Sequence, residues 1–202
     1  MNGQELSALL MLATAMSFTP GPNTTLSTAL AANAGLRHAL PFICAVPVGW
    51  TALLLACALG LGALVVAVPA LAWTVRLAGA AYLLWLAWRL AAPRAGQQPS
   101  QAATVQVGFW QGVALQFVNI KAWMLALAIV SGWVAGRADP VQRMAVVVPV
   151  MLAFAFASNL VYALVGSALR HWLAAGSGQR LKGFNRAMAA LLLATTIWML
   201  AL

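Results

Sequence analysis

The chain has 202 residues, of which 64% are hydrophobic and 6% charged, whereas soluble domains average about 45–50% apolar and about 25% charged residues. This composition excludes a water-soluble domain and predicts an all-α integral membrane protein in a lipid bilayer. The net charge of +9 comes from basic residues scattered between apolar runs. Because they form no basic face interleaved with aromatic residues, nucleic acid is excluded as a partner.

Six apolar runs follow along the chain, and each is long enough to cross a hydrocarbon core about 30 Å thick. A polar, turn-rich loop at 93–106 joins two halves of three predicted helices each, about 1–92 and 107–202. The whole chain 1–202 is therefore interpreted as a single membrane domain. The predicted helices cover residues 6–32, 40–66, 70–91, 108–133, 144–169 and 184–202.

Basic residues are distributed unevenly between the two sides of the predicted bundle. If the helices alternate in direction, seven of them share one side and three share the other. The positive-inside rule places the richer side in the cytoplasm, so both termini are predicted to be non-cytoplasmic. The larger group is Arg37, Arg89, Arg94, Arg170, Arg180, Lys182 and Arg186, and the smaller is Arg76, Arg137 and Arg143.

The first predicted helix contains the segment Pro20-Gly21-Pro22 near its middle. The two prolines lack the N–H groups that the carbonyls of Met16 and Phe18 would need in a continuous helix. In lipid such a break persists only where it is packed in protein or lines a wet cavity. The segment therefore predicts a helix break that acts as a hinge, and a kink that only shapes packing is the alternative.

Asn23 follows the break in the position of a helix N-cap. The backbone and hydroxyl groups of Thr24 and Thr25 would then begin a second half-helix. The positive end of its dipole favours an anion such as a carboxylate. We expect Asn23, Thr24 and Thr25 to bind substrate.

Lys121 lies near the middle of the fourth predicted helix, beside Asn119. An ionisable group at this depth costs about 2.5 to 3.5 kcal/mol on insertion scales and usually faces a pathway or a partner. The acidic residues, Glu5 and Asp139, both lie at predicted helix ends. Lys121 must therefore be neutral, hydrated or paired with an anionic group of a bound ligand. The alternative is that the helix boundary is shifted and the lysine side chain reaches the membrane interface.

Further polar side chains lie at membrane depth. They either line the pathway or hydrogen bond between helices, and Trp50, Trp85 and Trp123 either pack or line a cavity. The candidate pathway residues are Gln116, Asn159, Tyr162 and Tyr82.

Enzymatic and metal-binding functions find little support in the sequence. His38 and His171 lie at predicted loop positions, and no nucleophile lies beside a base. Oxygen and sulfur ligands for a metal are scarce at membrane depth. We therefore expect no catalytic residue, no metal and no cofactor.

The two predicted sites lie in the first helix of each half, and the second helices carry Pro47 and Pro149 at similar depth. With three spans per half, the second half must be inverted relative to the first. This pattern is typical of an inverted-repeat transporter whose site lies at the repeat interface.

The chain resembles the LysE/RhtB family of amino-acid exporters, and within it the branch of cysteine and O-acetylserine exporters. The likeness rests on three stretches, Thr19-Pro20-Gly21-Pro22-Asn23, residues 77–88 and residues 114–121, which end at Asn119-Ile120-Lys121. Weaker likeness continues from Asn159 to Gly166 and through the final predicted helix, so the resemblance covers most of the chain.

This resemblance implies efflux from the cytoplasm across a bacterial cytoplasmic (inner) membrane, driven by protons, through a six-helix inverted-repeat fold. Many relatives have Pro where this chain has Ile120, so we expect a milder break in the fourth helix. The implied site residues are Pro20, Gly21, Pro22, Asn23, Asn119 and Lys121.

The resulting hypothesis is alternating access by a secondary transporter of small neutral amino acids or their derivatives. The substrate carboxylate would lie between the half-helix end near Asn23 and Lys121, oriented by Asn119, and protons would couple through Lys121. Another small metabolite, an inorganic ion and a non-transporting structural role are the alternatives. The sequence fixes neither the amino acid, the coupling stoichiometry nor a homodimeric state.

Overall fold

The computed structural model describes residues 1–92, 106–175 and 178–201. Within these ranges the chain is helical and contains no strand. The predicted joint at 93–106 lies outside the described residues except for Gln106. The helices are α1 Gly3–Phe18, α2 Pro22–Ala34, α3 Leu36–Ala58, α4 Leu61–Ala67, α5 Pro69–Ala91, α6 Phe109–Val118, α7 Ile120–Ile129, α8 Pro140–Ala174 and α9 Gln179–Ala201, with a π-helical segment Val130–Val134 after α7.

Four of the helices, α3, α5, α8 and α9, are each long and apolar enough to cross a membrane. The pair α6 and α7, extended by the π-helical segment, makes a fifth candidate span that is bent by 68° at Asn119. Helices α1 and α2 have 16 and 13 residues, so each alone is shorter than the roughly 20 residues that a crossing requires.

The helices differ from the sequence predictions in several places. The second predicted helix, 40–66, is divided because Gly60 adopts a left-handed φ of 106° between α3 and α4, a conformation that ends helices. The fifth, 144–169, is the 35-residue helix α8, which begins at Pro140 directly after Asp139. The fourth predicted helix, 108–133, is bent by 68° at Asn119 with Ile120 in place, and whether this break is milder than in relatives with proline there stays a prediction.

Helix α2 lies at the centre of the protein and packs against α3, α8 and α9. Ten of its 13 residues are buried, as expected for a helix surrounded on all sides. Helices α2 and α8 approach each other closely at Gly166. A Cβ added there would lie 2.2 Å from the carbonyl oxygen of Thr28, so the contact needs a glycine. Elsewhere, α3 packs on α6 and α8, and α5 packs on α9.

The two ends of the bundle carry different polar groups. At one end, Glu5 of α1 pairs with Arg143 of α8 at 3.1 Å. At the other end, Arg37 and Arg89 line one depression together with His38. Arg143 therefore lies at the opposite end from Arg37 and Arg89, and the sequence analysis also assigned it to the opposite side.

Candidate functional site

A cavity lies where the chain leaves its helical path at residues 19–21 and again at Asn119. Its volume is about 60 Å³, which is smaller than the roughly 300–1,000 Å³ of usual ligand pockets. Helices α3 and α8 complete its wall. The lining residues are Met16, Ser17, Thr19, Gly21, Pro22, Asn23, Thr24, Val46, Trp50, Asn119, Lys121, Ala122, Leu125, Met151, Ala155, Ser158 and Asn159.

The N-terminus of α2 is capped locally. Gly21, not Asn23 as expected, occupies the N-cap position. The Gly21 N–H donates to Thr24 Oγ1 at 3.0 Å, and this hydroxyl donates back to the Gly21 carbonyl at 3.1 Å. The cap closes the first turn of α2 and leaves the Asn23 side chain free to contact another helix.

Two carbonyls at this break accept hydrogen bonds from distant helices. The hydroxyl of Tyr162 on α8 donates to the Phe18 carbonyl at 2.8 Å. Lys121 Nζ, from the first turn of α7, donates to the Thr19 carbonyl at 2.7 Å. Since an unsatisfied carbonyl is costly in lipid, these two contacts stabilise the non-helical segment.

The Lys121 side chain extends from α7 across the cavity to the end of α1. It also lies against Gly21, where an added Cβ would be 3.2 Å from Lys121 Cδ and 3.3 Å from Nζ. A glycine at position 21 therefore leaves room for the ammonium group. No carboxylate lines the cavity among the described residues, so the charge of Lys121 meets only backbone and neutral side chains.

Asn119 is the N-cap residue of α7, with extended backbone angles of φ −89° and ψ 101°. Its side chain is 2% exposed and lines the cavity. Within the described ranges, its Oδ1 is buried and has no hydrogen-bond donor. A buried acceptor without a donor costs about 1–3 kcal/mol, which makes Asn119 a candidate to contact a ligand.

Two polar side-chain pairs beside the cavity connect the central helix to its neighbours. Asn23 and Gln116 exchange two hydrogen bonds, of 2.8 and 3.1 Å, which join α2 to α6. Ser27 Oγ donates to Asn159 Oδ1 at 2.8 Å, which joins α2 to α8. Both pairs are next to the cavity, and Asn23 and Asn159 also line it.

The remaining predicted site residues lie outside the cavity lining. Thr25 is buried within α2, Gln116 is held by Asn23, and Tyr162 contacts the break through its hydroxyl. Tyr82 stacks on Trp85 of the same helix, with ring centroids 5.6 Å apart.

The apolar wall of the cavity was not assigned from the sequence. Val46, Trp50, Leu125 and Met151 line it, and Trp50 had been left open between packing and lining. Nothing in an apolar run distinguishes a residue that faces a cavity from one that faces a neighbouring helix. Ser17 was also missed, although its place next to the proline break is a signal that could have identified it.

A charged cluster ties the start of α1 to the start of α8, at one end of the bundle. Arg143 donates to Asp139 at 2.6 Å and to Glu5 at 3.1 Å. The hydrogen bond from Arg143 holds the pKa of the Asp139 carboxyl below its ordinary value. Trp133 Nε1 adds a bond of 2.9 Å to the Glu5 carbonyl. The cluster is separate from the cavity.

Comparison with known proteins places this arrangement in a family. The family model for the LysE type translocator matches residues 14–201. A cysteine/O-acetylserine efflux protein of Salmonella typhimurium is 30% identical over 171 residues, which cover 83% of this chain and 87% of that protein. The protein of that name in Escherichia coli (strain K12) is 30% identical over 161 residues, or 80% and 82% of the two chains. No solved structure matches.

The chain therefore belongs to the LysE type translocator family. It is a transporter and not an enzyme. Together with its apolar helices, this family membership identifies a multi-pass protein of a bacterial inner membrane.

Proposed function

We propose that the chain exports small neutral amino acids or their derivatives from the cytoplasm by alternating access, with the cavity as the substrate site. The names of the relatives support amino-acid efflux, since they are cysteine/O-acetylserine efflux proteins that align over 80% or more of this chain. The observation that carries the proposal is the position of Lys121 between two helix N-termini.

Three sources of positive potential meet at the cavity. The first turns of α2 and α7 both line it, and the first amides of a helix have no intrahelical acceptors. Each N-terminus carries roughly half a positive charge. Lys121 adds a full charge on the same wall. A substrate carboxylate bound there would contact Lys121 and the amides near Asn23 and Thr24.

The charge of the cavity supports a neutral amino acid over a basic one. With Lys121 in the wall and no carboxylate among the described lining residues, a second positive side chain would be repelled. The apolar wall formed by Val46, Trp50, Leu125 and Met151 suits a small side chain without charge. Asn119 would orient the bound molecule.

The helix packing supports a six-helix fold of two inverted halves, 1–92 and 107–202. In this fold α1 and α2 together form the first span, broken at Pro20-Gly21-Pro22, and α6 and α7 form the fourth. The first span packs on α8 and the fourth packs on α3, while α3 pairs with α8 and α5 pairs with α9. These are the pairings that a pseudo-two-fold axis in the membrane plane produces.

Orientation, hinge motion and coupling complete the proposal. The side with more basic residues faces the cytoplasm, so a reporter fused after residue 202 should be non-cytoplasmic.

The Pro20-Gly21-Pro22 segment acts as the hinge between inward and outward states. Protons drive export through Lys121, and unchanged proton coupling in a transporting Lys121→Gln variant would contradict this step. A homodimer is compatible with the small size of the chain.

The test is transport in liposomes that contain the purified protein, with an imposed proton gradient and labelled cysteine, O-acetylserine and other amino acids. We expect flux of a neutral amino acid by the wild type. Lys121→Ala should reduce it about thirtyfold or more, because loss of one partner of a buried charge pair costs about 2–5 kcal/mol. Lys182→Ala is the matched control, since Lys182 is exposed on α9 and outside the cavity.

Each outcome has a clear meaning. Folded Lys121→Ala protein without amino-acid flux, together with an active Lys182→Ala control, supports the proposed site. Equal flux in Lys121→Ala and wild type would remove Lys121 from the site. If no amino acid is carried by the wild type, the proposal fails, and inorganic anions and other small metabolites become the substrates to test.

A further inference from the structure

We propose that the backbone carbonyl oxygens of Met16 and Ser17, at the C-terminal end of α1, bind the α-ammonium group of the transported amino acid. The inference rests on the proposed function and adds a subsite for the positive end of the substrate. It follows from which backbone groups at the helix break have hydrogen-bond partners and which do not.

The carbonyls of Met16 and Ser17 lose their helical donors for different reasons. In an α-helix each carbonyl accepts from the N–H four residues later. For Met16 this residue is Pro20, which has no N–H. For Ser17 it is Gly21, whose N–H donates instead to Thr24 Oγ1 at 3.0 Å. No other group in the described residues donates to either oxygen.

The next two carbonyls along the chain differ in this respect. Phe18 accepts from Tyr162 and Thr19 accepts from Lys121. The protein therefore satisfies two of the four carbonyls at the end of α1 with side chains of other helices. The two that it leaves open belong to residues that line the cavity, Met16 and Ser17. They are acceptors available to a donor that enters from solution.

A second observation at the same cavity also indicates a ligand that donates hydrogen bonds. Asn119 lines the cavity from the opposite break, is 2% exposed, and has a buried Oδ1 without a donor in the described part of the chain. An ammonium group has three N–H donors. It is also attracted by the partial negative charge at a helix C-terminus, which is where Met16 and Ser17 lie.

The position of these acceptors fits an α-amino acid. In such a molecule the ammonium and the carboxylate are attached to the same carbon, so subsites of opposite polarity must be adjacent. At this break the C-terminus of α1 and the N-terminus of α2 are separated by residues 19–21 only, and Lys121 Nζ is bound at Thr19. The site should therefore require both charged groups of the substrate.

The experiment compares ligands that differ by one group. Purified wild-type protein in detergent is heated with L-cysteine or with its des-amino analogue, 3-mercaptopropionate. If the protein transports a different neutral amino acid, that amino acid and its des-amino analogue are used instead. Ligand protection against thermal unfolding gives the apparent affinities. We expect the wild type to prefer the amino acid by about tenfold or more, as for hydrogen bonds to a charged group.

Two substitutions return donors to the open carbonyls. Pro20→Ala supplies an N–H for Met16, and Thr24→Val releases the Gly21 N–H for Ser17. In each, the preference for the amino acid should fall at least about threefold, since one bond to the ammonium is lost. Pro149→Ala, in α8 and outside the cavity, and Thr28→Val, in the same helix as Thr24, are the matched controls and should keep the wild-type preference.

The outcomes separate this inference from the proposed function. The carbonyl subsite is supported if the preference for the amino acid falls in both variants and persists in both controls. If only one of the two variants folds, the result for that variant decides. An unchanged preference in both variants assigns the ammonium to other groups and overturns the inference. Equal affinity of wild type for the amino acid and its des-amino analogue also overturns it, while amino-acid transport still stands. Failure of the wild type to transport any amino acid instead refutes the proposed function.

Discussion

The two helix breaks that border the cavity have different origins. Between α1 and α2 the non-helical segment spans residues 19–21 and contains Pro20, and Pro22 begins α2. Between α6 and α7 it is the single residue Asn119, with no proline beside it, yet the chain bends by 68°. The first break is set by residues that cannot continue a helix. The second has no such local cause.

The contacts around the second break provide its explanation. Gly79 of α5 lies so close to it that an added Cβ would be 2.0 Å from the Val118 carbonyl oxygen. Trp123 Nε1 donates to the Phe117 carbonyl at 2.7 Å and so satisfies a group that the bend releases. A bend that depends on packing should be easier to disturb from outside than one that depends on proline.

The largest effect is expected for Gly79→Ala, which should destabilise the second break. The new methyl group would overlap the Val118 carbonyl, so α5 and α6 must move apart, at a cost of about 3 kcal/mol. Thermal unfolding in detergent measures the change. Gly183→Ala on α9 is the control because nothing lies within 4 Å of its Cβ position. Equal stability of Gly79→Ala and the control would show that the α5 contact does not hold the bend.

At the first break, Tyr162→Phe should destabilise the protein by about 2 kcal/mol, because the Phe18 carbonyl loses its donor while it stays at membrane depth. Tyr82→Phe is the matched control, since Tyr82 lies on α5 and packs on Trp85. Unfolding temperatures of the two variants test this. A Tyr162→Phe protein as stable as Tyr82→Phe would mean that the prolines alone maintain the first break.

The smallest effect is expected for the link between the two breaks, the Asn23–Gln116 pair. A double-mutant cycle of Asn23→Ala and Gln116→Ala should give a coupling energy of about 1 kcal/mol, in line with interhelical hydrogen bonds in membranes. Unfolding free energies of the two single variants and the double variant supply the cycle. Strict additivity would mean that the two breaks are energetically independent.

Individual residues show how far the sequence could be interpreted. The expectation that Lys121 lies deep in the bilayer followed from its place in an apolar run, since a lysine at that depth is costly and usually faces a pathway or a partner. The family assignment followed from the motifs around Pro20-Gly21-Pro22 and Asn119. By contrast, the N-cap was assigned to Asn23 and lies at Gly21, because either residue type can begin a helix. In the structure the Asn23 side chain instead hydrogen bonds with Gln116 of another helix.

The amino-acid sequence by itself determined the membrane class, most of the long helices and a helix break at the prolines, because hydrophobicity, length and missing N–H groups are local properties. Only the tertiary structure decided which groups meet. It placed Lys121 at the Thr19 carbonyl, imposed the bend at Asn119 and left the carbonyls of Met16 and Ser17, two residues that line the cavity, without donors. These contacts join residues as many as 102 positions apart, and pairings at that separation depend on helix packing, which no local pattern encodes.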